Sequence, residues 1–271
     1  MPSGEGIQPD MENGAGTMSM LSKVQTGTVH RPPRLLIYGT HGIGKTSLAA
    51  GAPDPILVQT EEGADEIGIP RFPLAQSFED MMEALSEVAY EPHDFKTCII
   101  DSMDWAERLV WDYTCKQNAW NDIGQPGYGQ GYTAALNNWY EVLGLINAIR
   151  DRGMSVVMLA HAEVKHFDDP TTDGYDRYQP ALHKGASAKV QEAADAVLFM
   201  NWKIVTDEKK EGYGRKITKG MGNGARQLFT EERPAALAKN RFGMPYRIDL
   251  PNGAESMWPT MASHIPFFNA Q

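Results

Sequence analysis

Residues 37–49 read IYGTHGIGKTSLA, and from Gly39 to Thr46 the stretch satisfies G-x-x-x-x-G-K-[ST] at every fixed position. The residue types follow from the physics of holding an anion. Glycines let the backbone curl so that successive N–H groups converge on one charge, and a following helix adds the positive end of its dipole. Both flanks fit. Leu35–Tyr38 is a short apolar strand candidate, and Ser47-Leu48-Ala49-Ala50 can open a helix. The reading is a nucleotide phosphate site built from Gly39, Thr40, His41, Gly42, Ile43, Gly44, Lys45, Thr46 and Ser47. Lys45 is the residue to reach the β- and γ-phosphates, and the Thr46 hydroxyl is the ligand for Mg²⁺.

Outward from that loop, short apolar runs alternate with helical stretches, the βαβ signature of a mainly parallel sheet flanked by helices. Strand candidates are Leu35–Tyr38, Ile56–Gln59, Thr97–Ile100, Ser155–Ala160 and Ala196–Trp202. Ser77–Ala89 and Thr133–Arg152 read as helices, the second with Leu136, Trp139, Tyr140, Leu143, Ile146 and Ile149 recurring at threes and fours as a core stripe. Asn118–Tyr132 and Glu163–Lys184 read as long loops. C-terminal antiparallel strands are expected at Trp202–Val205, Arg215–Thr218 and Gln227–Thr230, with a turn at Glu208–Gly214. The domain expectation is a flexible arm over residues 1–29, an ATPase-type core over 30–250 and a tail over 251–271.

A phosphate loop of this kind needs an aspartate at the end of another buried strand to hold Mg²⁺. Cys98-Ile99-Ile100-Asp101-Ser102 supplies it about 55 residues after Lys45, with Asp101 as the metal-site residue. Ser102 stands where a base often follows, so the base must come from elsewhere. Ile56–Gln59 runs into Thr60-Glu61-Glu62, and the C-terminal ends of parallel strands open onto one crevice. Glu61 is preferred as the base, with Glu62 the alternative. His161, after the strand Ser155–Ala160, is a candidate to sense the γ-phosphate and pass the signal to the loop beyond it.

Composition narrows the partners. The 271 residues are 42% hydrophobic and 22% charged, no apolar run approaches a membrane span, and residues 1–29 contain no signal-peptide core. Cys98 and Cys115 are too few for a disulfide framework, which suits a reducing cytoplasm. A net charge of −10 argues against coating nucleic acid with the whole surface. A local path remains open. Lys203–Arg226 carries seven basic residues against three acidic, and Trp120, Tyr128, Tyr132, Phe167, Tyr175 and Tyr178 in the two loops can stack on unpaired bases. Lys165, Arg177, His183 and Lys184 add positive charge to the second loop.

Taken together, GTHGIGKT, the strand ending at Glu61, CIIDS, VVMLAH, EAADAVLFM and AKNRFG resemble the RecA-like ATPase core over about Arg34 to Arg247. The whole looks closest to the RecA-like ATP-binding proteins of bacteriophages linked to single-strand annealing. The resemblance implies ATP as the nucleotide, Mg²⁺, self-association into a filament or ring, and a host-cell cytoplasmic location. It also implies that Lys239 and Arg241 project into a neighbouring subunit's site, where a cation on the γ-phosphate stabilises transition-state charge. The leading expectation is an ATPase that assembles on single-stranded DNA in phage recombination, annealing or replication. Two departures weigh against the DNA role: no separate recombinase DNA-binding domain is visible, and the chain is acidic for a DNA coat. The alternatives are a hexameric helicase or translocase motor, and a non-motor nucleotide switch.

Overall fold

The protein is described from a computed structural model, which covers residues 20–24, 26–211 and 215–269, with the side chains of residues 204–223 left aside. Residues 1–19 and 25 of the expected arm over 1–29, residues 212–214 of the turn expected at Glu208–Gly214, and the basic side chains Lys209, Lys210, Arg215, Lys216 and Lys219 lie outside the described residues. Two compact units divide at His30. In the first, Met20–Lys23 forms a single 3-10 turn. The second carries the sheet.

Its centre is strand β1 (Arg34–Gly39), whose Leu35, Leu36, Ile37 and Tyr38 are fully buried. An uninterrupted apolar run is what a parallel strand covered on both faces requires. The pleat then sends alternate side chains to opposite layers. Leu36 and Tyr38 enter one core with Val58, Ile100, Met158 and Phe199, whereas Leu35 and Ile37 enter the other with Leu57, Ile99, Leu159 and Leu198. The first layer is covered by α2 (Phe78–Tyr90), α3 (Met103–Asn118), α4 (Gln130–Asp151) and α5 (Lys184–Ala193). The second is covered by α1 (Lys45–Ala50) and α6 (Ala254–Ala262).

The strand order is β2 (Pro55–Gln59), β3 (Thr97–Asp101), β4 (Ser155–Phe167), β1, β6 (Ala196–Glu211), β7 (Arg215–Phe229), β9 (Arg247–Leu250). The strands from β2 to β6 run parallel, while β7 and β9 are antiparallel additions. Off this path, β5 (Tyr175–Pro180) pairs β4 and β8 (Lys239–Asn240) pairs β6. This is the expected fold class in its architecture: a mainly parallel sheet flanked by helices, with C-terminal antiparallel strands. Register places the functional ends side by side. Gly39 pairs His161 on one flank and Met200 on the other, and Asp101 lies between Leu159 and Gln59.

Several elements depart from the sequence expectation. Glu163–Lys184 is not a loop for most of its length, because β4 continues antiparallel to β5 from Ala162 to Phe167. In that ribbon Val164, Lys165 and His166 are exposed while β5 buries the charged Arg177, so no apolar run announces it. β6 and β7 likewise pair as one long hairpin instead of short separate strands. Helix α3 lacks a clean stripe because Glu107 and Thr114 occupy core-facing positions beside Met103, Ala106 and Val110. In α4 the stripe holds for Trp139, Leu143, Ile146 and Ile149, but Tyr140 is exposed and Ala135 and Val142 face the core instead. The segment expected as a tail carries α6, which buries Met257, Trp258 and Met261 in the second core layer. Among the described residues no helix is long and apolar enough to cross a membrane.

Candidate active site

The site forms where β1, β2 and β3 end and β4 leaves the parallel sheet. Gly39 is the last residue of β1, and a Cβ there would stand 2.4 Å from the Met200 carbonyl oxygen, so strand packing admits only glycine. The loop then turns through Gly42 at φ +68° and Gly44 at φ +97°, the left-handed region that glycine adopts without steric cost. Lys45 opens α1 and is buried, its Nζ donating to the carbonyls of Gly39 at 3.1 Å and Thr40 at 3.2 Å. Burial depresses its ammonium, and the carboxylates of Asp101 and Glu61 oppose that. Thr46 donates its hydroxyl to Asp101 Oδ2 at 2.7 Å. Burial pushes Asp101 up from the usual carboxylate range, against the Thr46 hydroxyl and the Lys45 charge. Ser47 follows on α1, half-buried.

The two β2-end carboxylates separate clearly. The backbone N–H groups of Thr60 and Glu61 donate to Asp101 O at 2.8 and 3.3 Å, drawing the chain across the end of β3. Glu61 is thereby half-buried, accepts the Ser102 hydroxyl at 3.0 Å and lies 3.7 Å from His161 Nδ1. Burial raises its carboxyl, with His161 acting in the opposite sense. Glu62 is exposed. His161 is buried and meets Asp104 through both its backbone N–H and Nδ1, each at 2.9 Å. His41, on the loop, stacks on the His161 ring at 3.8 Å, and the neighbouring imidazole depresses the His41 pKa. A cavity of about 350 Å³ is bounded by Gly44, Lys45, Thr46, Glu61, Asp101 and His161. A second, of about 610 Å³, shares His41, Glu61, Glu62 and His161 with it and continues toward Trp105 and Leu109.

Residues 31–242 match the model of the AAA_24 family, an AAA domain. The chain belongs to this family. It is 25% identical over 182 residues to the SPbeta prophage-derived uncharacterized protein YorG of Bacillus subtilis (strain 168), which covers 65% of this chain and 53% of YorG. The chain thus aligns with about half the length of that relative. It is also similar to the KaiC-like protein PH0186 of Pyrococcus horikoshii OT3, at TM-score 0.44 and 12% identity over 83% of this chain and 88% of that one.

In this AAA domain the two remaining predicted residues stand at the opposite end of the sheet. Lys239 pairs Val197 and the adjacent Asn240 pairs Ala196, which is itself level with Leu35 at the start of β1. Three strand residues, Leu36 to Tyr38, separate that level from Gly39, and both side chains are engaged at that end of the sheet. Lys239 Nζ donates to the carbonyls of Gln191 and Ala194, each at 2.7 Å, at the C-terminus of α5. Arg241 is half-exposed and reaches Asp195 Oδ1 at 3.4 Å. That carboxylate is already held by Arg34, through its backbone N–H at 2.9 Å and its guanidinium at 3.1 and 3.3 Å, and by Arg150 at 3.5 Å.

Most of the loop aromatics turn inward. Tyr132 stacks on His183 at 4.1 Å, Tyr178 stacks on Phe199 at 4.8 Å, and Arg177 covers the Phe167 ring at 3.7 Å. Trp120 lines a cavity with Trp111, and Tyr175 lies against Phe167. Tyr128 is fully exposed. Two of the charges that accompany the second loop are paired, Lys165 with Glu163 at 2.6 Å and Arg177 with Glu232 at 2.7 Å.

Three residues of the site were given no role there from the sequence. Asp104 and Ser102 join the Glu61–His161 group from the start of α3. Arg226, counted only among the basic residues of a hairpin, donates Nε to the Ile43 carbonyl at 2.6 Å and lies flat against Gly44. Only its position on β7, beside β6, brings it to the loop.

Proposed function

We propose that this AAA domain binds and hydrolyses ATP with Mg²⁺, and that it assembles on single-stranded DNA as a filament or ring in phage recombination, annealing or replication. One observation carries the hydrolytic reading: Lys45 and Thr46 on α1, Asp101 at the end of β3 and Glu61 after β2, from three separate segments, converge on one cavity beside a left-handed glycine loop. The residues suit the ligand. The Thr40 hydroxyl is buried without a partner, Lys45 rests on carbonyls that a phosphate can replace, and Thr46 with Asp101 offers the hard oxygens Mg²⁺ prefers. Bound Mg²⁺ would neutralise charge on the β- and γ-phosphate oxygens. Lys45 holds those phosphates, the loop N–H groups fix their direction, and Glu61 orients water and takes its proton. A half-buried carboxylate with a raised pKa suits that task.

Assembly enters through Arg241. It stands far from its own loop, and its contact to Asp195 is a surplus one that a phosphate can displace, so it is suited to a neighbour's γ-phosphate. Lys239, engaged with α5, then supports the segment from within its own subunit. For DNA, the support is the position of the β4–β5 ribbon directly after His161, the exposed Tyr128 and the basic composition of the β6–β7 hairpin. The inward packing of the other aromatics narrows the stacking surface.

The test is ATP turnover by the purified chain with and without single-stranded DNA. Lys45→Ala should abolish turnover and weaken ATP binding. Glu61→Gln should keep binding and slow turnover by about 10²-fold or more. Near-normal turnover in Lys45→Ala would sink the site assignment. Slowing by Glu62→Gln but not Glu61→Gln would transfer the base to Glu62. Turnover indifferent to DNA would favour the non-motor switch.

A further inference from the structure

His161 sits where β4 leaves the parallel sheet, and its ring is gripped along one edge. Asp104, in the first turn of α3, accepts the His161 backbone N–H with one oxygen and meets ring Nδ1 with the other. This two-point clamp ties the ring to its own backbone. An ionised carboxylate has no hydrogen to give, so a 2.9 Å contact with Nδ1 puts the ring hydrogen on Nδ1. Asp104 is held below the usual carboxylate range: burial acts to raise it, and the hydrogen bonds from the His161 ring and backbone outweigh burial. Glu61 lies near the same Nδ1 edge, and His41 covers a ring face. In the neutral ring the lone pair is then on Nε2. The ring borders both cavities.

We propose that Asp104 is a positioning residue that holds His161 as the Nδ1–H tautomer, so that Nε2 accepts a hydrogen bond from the attacking water and does not donate one to the γ-phosphate. This rests on the ATPase reading above and decides the part His161 plays in it. Phosphate oxygens carry lone pairs only, so a neutral Nε2 lone pair repels them, whereas water has hydrogens to offer. In the step, the water oxygen bonds to the γ-phosphorus as the bond from that phosphorus to the β,γ-bridging oxygen breaks. The electron pair of the broken bond leaves with ADP. One water hydrogen passes to the Glu61 carboxylate as a proton, while the other stays on the transferred oxygen, directed at Nε2. Ser102, donating to Glu61, keeps that carboxylate turned toward the same place. Lys45 and Asp101 supply the nearby charges on the phosphate side.

Histidine tautomers are distinguished by the nitrogen shifts of the imidazole ring, so the test is NMR of the full chain labelled with ¹⁵N-histidine, at a mildly alkaline pH where imidazoles are neutral. His161→Gln identifies the resonances. Wild-type His161 should be found with its hydrogen on Nδ1, and finding it on Nε2 would overturn the proposal without recourse to any variant at Asp104. In Asp104→Asn the side-chain amide can donate to Nδ1, which should move the hydrogen to Nε2. With that inversion kcat should fall about 10²-fold while KM for ATP holds, and Asp104→Glu should recover part of the rate. An inverted tautomer with kcat unchanged would also overturn it. A wild-type chain with the Nδ1 tautomer but no ATP binding would overturn the ATPase reading, and the role of Nε2 with it, leaving the tautomer assignment standing.

Discussion

Glu107 faces the core from the middle of α3, where an apolar residue would be expected. Its carboxylate accepts the His183 backbone N–H at 2.9 and 3.1 Å, at the position that caps the start of α5. Burial pushes the Glu107 carboxyl up to about 7 from an ordinary 4.5, and the His183 bond opposes the rise only in part. The sign of the linkage follows. An acid whose pKa is raised by folding costs nothing below its unfolded pKa. It erodes stability as pH climbs from about 4.5, and the loss is complete above about 7. The displacement corresponds to on the order of 3 kcal/mol. Glu107→Gln keeps an oxygen for the His183 N–H and removes the charge. Relative to wild type, this variant should therefore gain stability as pH rises from 4.5 to 7 and then level off. Denaturant midpoints at pH 5 and pH 8 measure it, and a difference independent of pH would mean that Glu107 does not titrate in this range.

Among the elements, the β6–β7 hairpin does more than extend the sheet. Its arms remain paired from Phe199–Phe229 out to Glu211–Arg215, with an irregularity between Trp202 and Ile204. Arg226 lies at the root, its guanidinium over the Trp202 ring at 4.9 Å and its Nε on the Ile43 carbonyl. The hairpin is thus fastened to the phosphate loop by one hydrogen bond to a buried residue. Arg226→Ala leaves that carbonyl without its partner, at a cost of roughly 1–3 kcal/mol, and loosens the turn through Gly42 and Gly44. Nucleotide affinity should fall about 10-fold, measured by titration with a fluorescent ATP analogue. Arg226→Lys, which has no Nε–H in that place, should not restore it. Affinity equal to wild type in both variants would show that the contact only packs.

For the whole molecule, the sheet polarity sets what a single chain can do for itself. The loop and its carboxylates lie at the C-terminal ends of the parallel strands, while Arg241 lies at the other end beside Asp195, Arg34 and Arg150. If subunits associate end to end, one chain's Arg241 meets the next chain's cavity. Arg241→Ala should then bind ATP normally but hydrolyse it poorly, by on the order of 10³-fold. Mixing it with Lys45→Ala should restore part of the activity, because the Lys45→Ala subunit still carries Arg241 to complete its neighbour's intact loop. Turnover of the mixture against each variant alone reads this directly. No recovery, under conditions where mixed oligomers are shown to form, would remove the trans role.

The phosphate loop, the Asp101 strand, the parallel core and the Glu61 end of β2 were legible in the sequence. Each depends on neighbours along the chain: glycine spacing, an apolar run with both faces covered, and a polar residue where the run stops. What stayed hidden depends on residues far apart. Asp104 meets His161 across 57 positions and Arg226 meets Ile43 across 183, and no local pattern encodes either pair. Helix α3 escaped because Glu107 and Thr114 break its stripe, and they are tolerated because His183 and the Val110 carbonyl satisfy them. The β4–β5 and β6–β7 ribbons escaped because neither Glu163–Phe167 nor Lys203–Lys219 holds a continuous apolar run. The sequence by itself determined which reactive side chains stand on the glycine loop and at the strand ends. Only the tertiary structure decided which side chains orient them and which end of the sheet each cation occupies, because sheet register and helix packing, not spacing along the chain, bring those groups together.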